Sequence, residues 1–231
     1  MKTTRSAQSL AIIGATRGVG LRLVREALTR GATRLRLLVR DAGAMRKVMV
    51  DEAWPVESTE LIELIEGDAT DVSDVRRVVS GVDAVLFAIG APARNRGSIR
   101  TLATRAMIAA MRAEGVKRVV AVSVFGAYET RAQLPFFLRM VIFPFVLSRV
   151  VRDHEGQEAL LSESDLEWTA VRPPNLVDAR GRFGFRHGQT IDSEQTMTIS
   201  RQELAEFMLD ELEQRRYIYA TPAVSHRRIA A

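Results

Sequence analysis

The chain of 231 residues contains no cysteine. That absence excludes a disulfide scaffold, a thiolate nucleophile and a cysteine-held metal cluster. The three histidines, His154, His187 and His226, are too scattered to give zinc-ligand spacing, so no metal site is expected. Aromatic residues make up only 6% of the chain, and its basic residues are spread along every segment without interleaved aromatics. Such a pattern argues against a nucleic-acid surface and for solvated faces, although a net charge of +5 still steers an anionic ligand toward a basic site. Residues 1–9 lack the apolar core of a signal peptide, and a cytoplasmic protein is expected. The most apolar segment, 134–151, is interrupted by Pro135, Arg139, Pro144 and Arg149, which argues against a transmembrane helix.

What the chain does contain is ordinary for an α/β enzyme: 47% hydrophobic and 26% charged residues, enough for one domain with a substantial core and no need of a second. Its organising stretch lies near the start, where an apolar run, Leu10-Ala11-Ile12-Ile13, breaks into Gly14-Ala15-Thr16-Arg17-Gly18-Val19-Gly20 and then into an amphipathic segment. This reads as strand, tight turn and helix. Gly14 permits the exit from the strand, Gly18 lets the backbone approach a pyrophosphate, and Gly20 lets the helix lie close on the sheet. The free N–H groups of that helix, together with Thr16, Arg17 and Val19 of the turn, then face an anion. A second strand at 35–39 closes a βαβ unit, and it ends in Arg40 and Asp41, where the chain meets an adenosine ribose. Arg40 and Arg17 offer guanidinium forks to a 2′-phosphate, which favours NADP(H) over NAD(H).

Further strands are expected at 61–65, 84–89, 119–124 and 166–172, alternating with helices in a doubly wound parallel sheet, a Rossmann fold. Asp68 and Ala69 follow the third strand, where Asp68 either accepts from the adenine amine or shares helix capping with Asp71. Ala88, Ile89 and Gly90 end the fourth with small groups that let a cofactor lie close. The stretch 51–59 reads as a loop, and a helix over 98–114 is expected to bury Leu102, Ala106, Ile108, Ala109 and Met111. Ser123, ending the fifth strand, either polarises a substrate carbonyl or satisfies a backbone group.

The stretches GATRGVG, LLVRD, EGDATD, AIGAP, VVAVSVFGA and WTAVRPPNL together resemble the atypical short-chain dehydrogenase/reductases. Within these the likeness is to the NAD(P)H-binding group that contains NmrA-like proteins and biliverdin reductase B, a flavin reductase. The resemblance implies NADPH bound with its nicotinamide near strands four to six, Pro173 and Pro174 passing it, and Asn175 toward the substrate. In the larger superfamily a Tyr/Lys acid pair works with the serine, and this chain departs from it: aligned back from Glu158, Val150 stands at the tyrosine position and His154 at the lysine position, and biliverdin reductase B is similar in lacking the pair. His154 then either pairs with Glu158 and orients the ribose or relays a proton, or is a surface histidine in a salt link; Tyr128 is a second proton-donor candidate.

Segment 134–151 reads as an apolar lid, a homodimer face or a buried helix, and a substrate region is expected over 175–200. Residues 180–187 read as a mobile loop, 190–199 as short strands, 217–220 as a final strand, and 226–231 as a disordered tail, with Ser200 and Glu203 forming a capping box on the last helix. The expected activity is hydride transfer to an apolar, conjugated or carbonyl-containing molecule. A non-catalytic NADP(H)-sensing regulator is the alternative, and an epimerase or dehydratase the third.

Overall fold

A computed structural model describes residues 8–90, 98–137, 139–140, 147–179, 183–192 and 194–228. Expectations for Pro92, for Phe143, Pro144 and Phe145, for residues 180–182 and for 229–231 lie outside the described residues. The first half of the chain alternates strand and helix: β1 (Ser9–Ile13), α1 (Gly18–Thr29), β2 (Arg34–Val39), α2 (Ala42–Asp51), α3 (Val56–Glu60), β3 (Ile62–Glu66), α4 (Val72–Val79), β4 (Ala84–Phe87). It continues through α5 (Ile99–Glu114), β5 (Arg118–Val122), a 3₁₀ turn over Tyr128–Gln133, α6 (Ser148–Ser162) and β6 (Glu167–Val171). These six strands form one parallel sheet in the order β3-β2-β1-β4-β5-β6. That is the Rossmann order, which reverses direction between β1 and β4.

Both faces of the sheet are covered, which is why its strands are apolar at successive positions. In β1, Leu10 and Ile12 pack into one core with α1, α2 and the last helix, α7 (Arg201–Gln214), while Ala11 and Ile13 pack into the other with α4 and α5. The helix starts are set by short acids: Asp41 accepts from Ala44 N at 2.8 Å to begin α2, and Asp71 accepts from Ser73 N at 2.7 Å to begin α4. In α5 the buried apolar residues are Ala103, Ala106, Met107, Ile108, Ala110 and Met111, whereas Leu102 and Ala109 face out. The expected stripe was right at three of its five positions; packing against α4 and α6 shifts the rest by one residue.

The C-terminal part differs more from expectation. Residues 51–59 are not all loop, since α2 runs to Asp51 and α3 adds a turn of helix from Val56. β7 (Asn175–Val177) pairs in parallel with β9 (Thr198–Ser200), and β8 (Phe185–Gly188) pairs antiparallel with β10 (Ala223–His226). The expected loop over 180–187 therefore ends in a strand. Residues 217–220 form a turn with Tyr219 at φ +59°, touching the main sheet through the bridge Ala220–Thr169 and through the Tyr219 N–H, which donates to the Trp168 carbonyl at 2.7 Å. The expected disorder does not begin at 226: His226 ends β10 and is buried, its Nε2 accepting from Ser200 N at 2.8 Å. Among the described residues no helix is long and apolar enough to cross a membrane.

At the point where the strand order reverses, Gly14 has φ +94°, and a β-carbon there would lie 2.5 Å from the Ala88 carbonyl oxygen. One on Gly20 would lie 1.9 Å from the Gly14 carbonyl oxygen, whereas one on Gly90 meets nothing. Gly20→Ala is therefore expected to lower the free energy of unfolding by about 2–3 kcal/mol, the cost of overpacking, and Gly90→Ala to leave it near wild type. Urea denaturation checks this, and equal midpoints for the two variants would refute the close-packing argument.

Candidate functional site

The exits of β1, β2, β4, β5 and β6 open into one cleft of about 1120 Å³ along the carboxyl ends of the sheet. Its first wall is the turn between β1 and α1, where Gly14, Thr16, Arg17, Gly18 and Val19 all line the cleft. Gly20 does not line it; it lies beneath, holding α1 against Gly14. The end of β2 contributes Arg40, and Asp41 beside it is engaged as the cap of α2. Arg17, Arg40 and Arg22, the last a residue missed by sequence reasoning, line the cleft without an acidic partner among the described residues. In this chain that matters, because Arg30, Arg36, Arg118 and Arg172 are each paired with a glutamate.

Asp68 and Ala69 line the cleft beyond β3, and the Asp68 carboxylate accepts from Thr70 N and Thr70 Oγ1, both at 2.8 Å. Thus Asp68 shapes its own turn, while helix capping falls to Asp71. Ala88, Ile89 and Gly90 form the floor at the exit of β4. From β5 and β6 come Ser123, Pro173 and Pro174, held together by hydrogen bonds from Ser123 N to the Val171 carbonyl (2.7 Å) and from Phe125 N to the Pro173 carbonyl (2.9 Å). Asn175 is exposed and outside the cleft; Leu176, Asp178 and Arg201 stand on that side instead. The alternation of side chains along β7 turns Leu176 inward and Asn175 outward.

Ser123 is buried, and its hydroxyl donates to Glu158 Oε1 at 2.5 Å. Glu158 in turn accepts from Arg172 Nε at 2.9 Å and from Arg172 Nη2 at 2.6 Å, a bidentate pair with both side chains almost wholly enclosed. Arg172 also pairs with Glu129 and lies over the Tyr128 ring, 5.8 Å from its centroid. The Ser123 proton is therefore committed to a carboxylate, and the oxygen offers the cleft acceptor lone pairs only. The expected His154–Glu158 pair does not form, because Glu158 is taken by Arg172 and Ser123.

His154 lines the cleft at 6% exposure, and its Nδ1 has no hydrogen-bond partner. Burial, aided by the nearby Arg100 charge and opposed by Asp153, pushes its imidazole down to about 3, so it is neutral at physiological pH. Arg100 comes from the first turn of α5, where Asp153 of α6 accepts from Arg100 N and Thr101 N at 3.1 and 3.0 Å. Tyr128 is not at the cleft: its hydroxyl donates to the Glu155 carbonyl at 2.9 Å, and burial raises its phenol further from neutrality. Val150 places an apolar group where the larger superfamily has its tyrosine. In segment 134–151, Phe136, Phe137 and Met140 are exposed. Among the described residues no group of three or more His, Asp or Glu could hold a metal ion.

Residues 14–215 match the family model described as NAD(P)H-binding. Solved structures of the same fold include a short-chain dehydrogenase/reductase from Veillonella parvula in complex with NADP, 17% identical with a TM-score of 0.77, covering 95% of each chain. ChuY, an anaerobillin reductase from Escherichia coli O157:H7, is 19% identical with a TM-score of 0.75, covering 96% of this chain and 99% of its own. A protein provisionally assigned as an NAD-dependent epimerase/dehydratase from Bacillus halodurans is 20% identical with a TM-score of 0.74, covering 95% and 94%.

The depressed His154 has a consequence for stability. Between its folded value of about 3 and the unfolded value near 6.5, the unfolded chain binds the proton and the native state does not, so stability falls as pH falls. Wild type is expected to lose about 2 kcal/mol more than His154→Asn between pH 7 and pH 5. Urea denaturation at the two pH values reads the difference, and identical slopes would show that His154 is not buried neutral.

Proposed function

Because the chain belongs to the NAD(P)H-binding family, we propose that it is an NADPH-dependent reductase. Its substrate is an apolar, conjugated small molecule such as a flavin, quinone or tetrapyrrole. The observation that carries the cofactor preference is the set Arg17, Arg22 and Arg40: three cleft-lining guanidinium groups without acidic partners among the described residues. A carboxylate beside the ribose would reject a 2′-phosphate, and Asp41, the one at hand, is spent on capping α2. The residues fit the dinucleotide further: Gly14 and Gly20 leave no space for a β-carbon, so backbone N–H groups line the turn and face a pyrophosphate. When bound, the cofactor supplies hydride; the chain supplies orientation and an enclosed, largely apolar surface.

The substrate class follows from what the cleft lacks. A simple ketone acquires a full charge on one oxygen as hydride arrives, and needs a donor aimed at that atom. Here the Ser123 proton is held by Glu158, Val150 replaces the tyrosine, and His154, held neutral by burial, has only a weakly acidic N–H and no positive charge to offer. A conjugated acceptor spreads the added charge over its ring system and takes its proton from solvent, so this cleft suits it better. Val122, Val124, Ile89, Ile99, Leu176 and the two prolines supply the apolar wall for a flat ring. The anaerobillin reductase activity of ChuY, a protein of the same fold, supports a tetrapyrrole among the candidates. The same lack of an acid favours a second reading, an NADP(H)-sensing regulator that binds without turnover; the apolar walls of the cleft favour the enzyme. The epimerase reading is the weakest, because it depends on the missing tyrosine.

The test is NADPH oxidation against FMN, riboflavin, menadione, biliverdin and aromatic ketones, with NADH in parallel. Turnover of a conjugated acceptor and none of the ketones is expected; tight NADPH binding with a silent panel would favour the regulator. Arg17→Ala with Arg40→Ala is expected to weaken NADPH by roughly 2–4 kcal/mol, the range for charge-assisted hydrogen bonds, and to leave NADH nearly unchanged. Equal losses for the two cofactors would remove the 2′-phosphate assignment.

A further inference from the structure

The ion pair between Arg201 and Asp178 lies at the same cleft but comes from the C-terminal part of the chain. β7 and β9 run in parallel with Val177 opposite Ser200, so Asp178 and Arg201 are the next residues beyond the ladder. Arg201 Nη1 lies 2.9 Å from Asp178 Oδ2, and both residues line the cleft. On its other side Arg201 reaches the glycine turn: a β-carbon placed on Gly18 would have Arg201 Nε at 3.9 Å and no other atom within 4 Å. The guanidinium thus stands over the open face of Gly18, where α1 begins.

α7 packs beside α1: Gln202 Nε2 reaches Glu26 at 3.0 Å and Arg30 Nη1 reaches Asp210 at 2.6 Å. The Arg201–Asp178 pair is itself loosely held: the Asp178 side chain is 71% exposed and that of Arg201 28%, a setting in which an ion pair contributes little. A phosphate oxygen in the cleft is therefore a stronger partner for Arg201 than Asp178 is.

We propose that Arg201 binds the pyrophosphate of the dinucleotide, closing over the Gly18 turn from the C-terminal side, and that it gives up its exposed partner Asp178 to do so. The assignment rests on the dinucleotide reading of the cleft. It divides the arginines by what they recognise: Arg17 and Arg40 read the 2′-phosphate peculiar to NADPH, whereas Arg201 reads a group that NADPH, NADH and ADP-ribose share. It also ties cofactor binding to the β7–β9 ladder, which carries Leu176 on the substrate side.

Calorimetric titration with NADPH, NADH and ADP-ribose tests the proposal on the wild type and on Arg201→Gln, Arg201→Lys and Asp178→Asn. Arg201→Gln is expected to weaken all three ligands by the same factor, about tenfold or more, and Arg201→Lys to recover part of the loss. Asp178→Asn is expected to bind all three at least as tightly as wild type. The thermal midpoint of ligand-free Arg201→Gln should stay close to wild type, because the pair it breaks is exposed. Wild-type affinity in Arg201→Gln, a loss confined to NADPH, or an equal loss in Asp178→Asn would each overturn the assignment. A wild-type protein that binds none of the three would instead overturn the dinucleotide reading on which it rests.

Discussion

Two backbone contacts at the centre of the sheet leave no room for a side chain, and the site depends on both. The Ala88 carbonyl lies against Gly14, and the Gly14 carbonyl lies against Gly20. These contacts bring the exits of β1 and β4 together with the first turn of α1 at the place where the strand order reverses. A parallel sheet with helices on both faces parts its connections there and leaves a crevice. The crevice is polar at one end because α1 begins in it with free N–H groups, and apolar at the other because the exits of β4, β5 and β6 carry Ile89, Val122 and the two prolines.

A second constraint lies behind the cleft wall. The Ser123–Glu158–Arg172 cluster joins the exit of β5, the middle of α6 and the exit of β6, and through Glu129 it reaches the 3₁₀ turn. Burying these charges costs solvation, which the bidentate geometry offsets only while every partner is present; removing one from such a pair typically costs about 3–5 kcal/mol. The cluster fixes how α6 sits over the cleft, and hence where His154 and Asp153 stand. It also settles what Ser123 can do, since a hydroxyl has one proton and Glu158 holds it. The hydrogen bonding open to the Ser123 hydroxyl follows from an internal ion pair that does not itself line the cleft.

Much of this was legible from residue order because it rests on local rules. The glycine spacing, the apolar strands, Asp71 before α4 and Ser200 before α7 each act within a few residues, so the alternation of strand and helix can be read directly. The errors cluster where long-range contacts decide. Residues 185–188 and 223–226 carry weak strand patterns and become strands because each supplies the other's hydrogen bonds. Tyr217–Ala220 reads as a final strand, yet a left-handed Tyr219 turns the chain there. Asn175 was placed toward the substrate, and the pleat of β7 turned Leu176 there in its place.

The sequence by itself determined the Rossmann alternation, the glycine turn and the arginines that line the cleft beside it, since each depends on spacing along the chain. Only the tertiary structure decided the partners of the charged groups. Glu158 was within reach of His154 along a helix, but Arg172, fourteen residues further on, arrives from β6 with two parallel donors and outcompetes an imidazole that burial holds neutral. Arg201 likewise appeared as part of a capping motif, and folding carried it across the molecule to Gly18. Electrostatic pairing is a contest among all groups that the fold brings within a few ångströms, and distance along the chain does not enter into it.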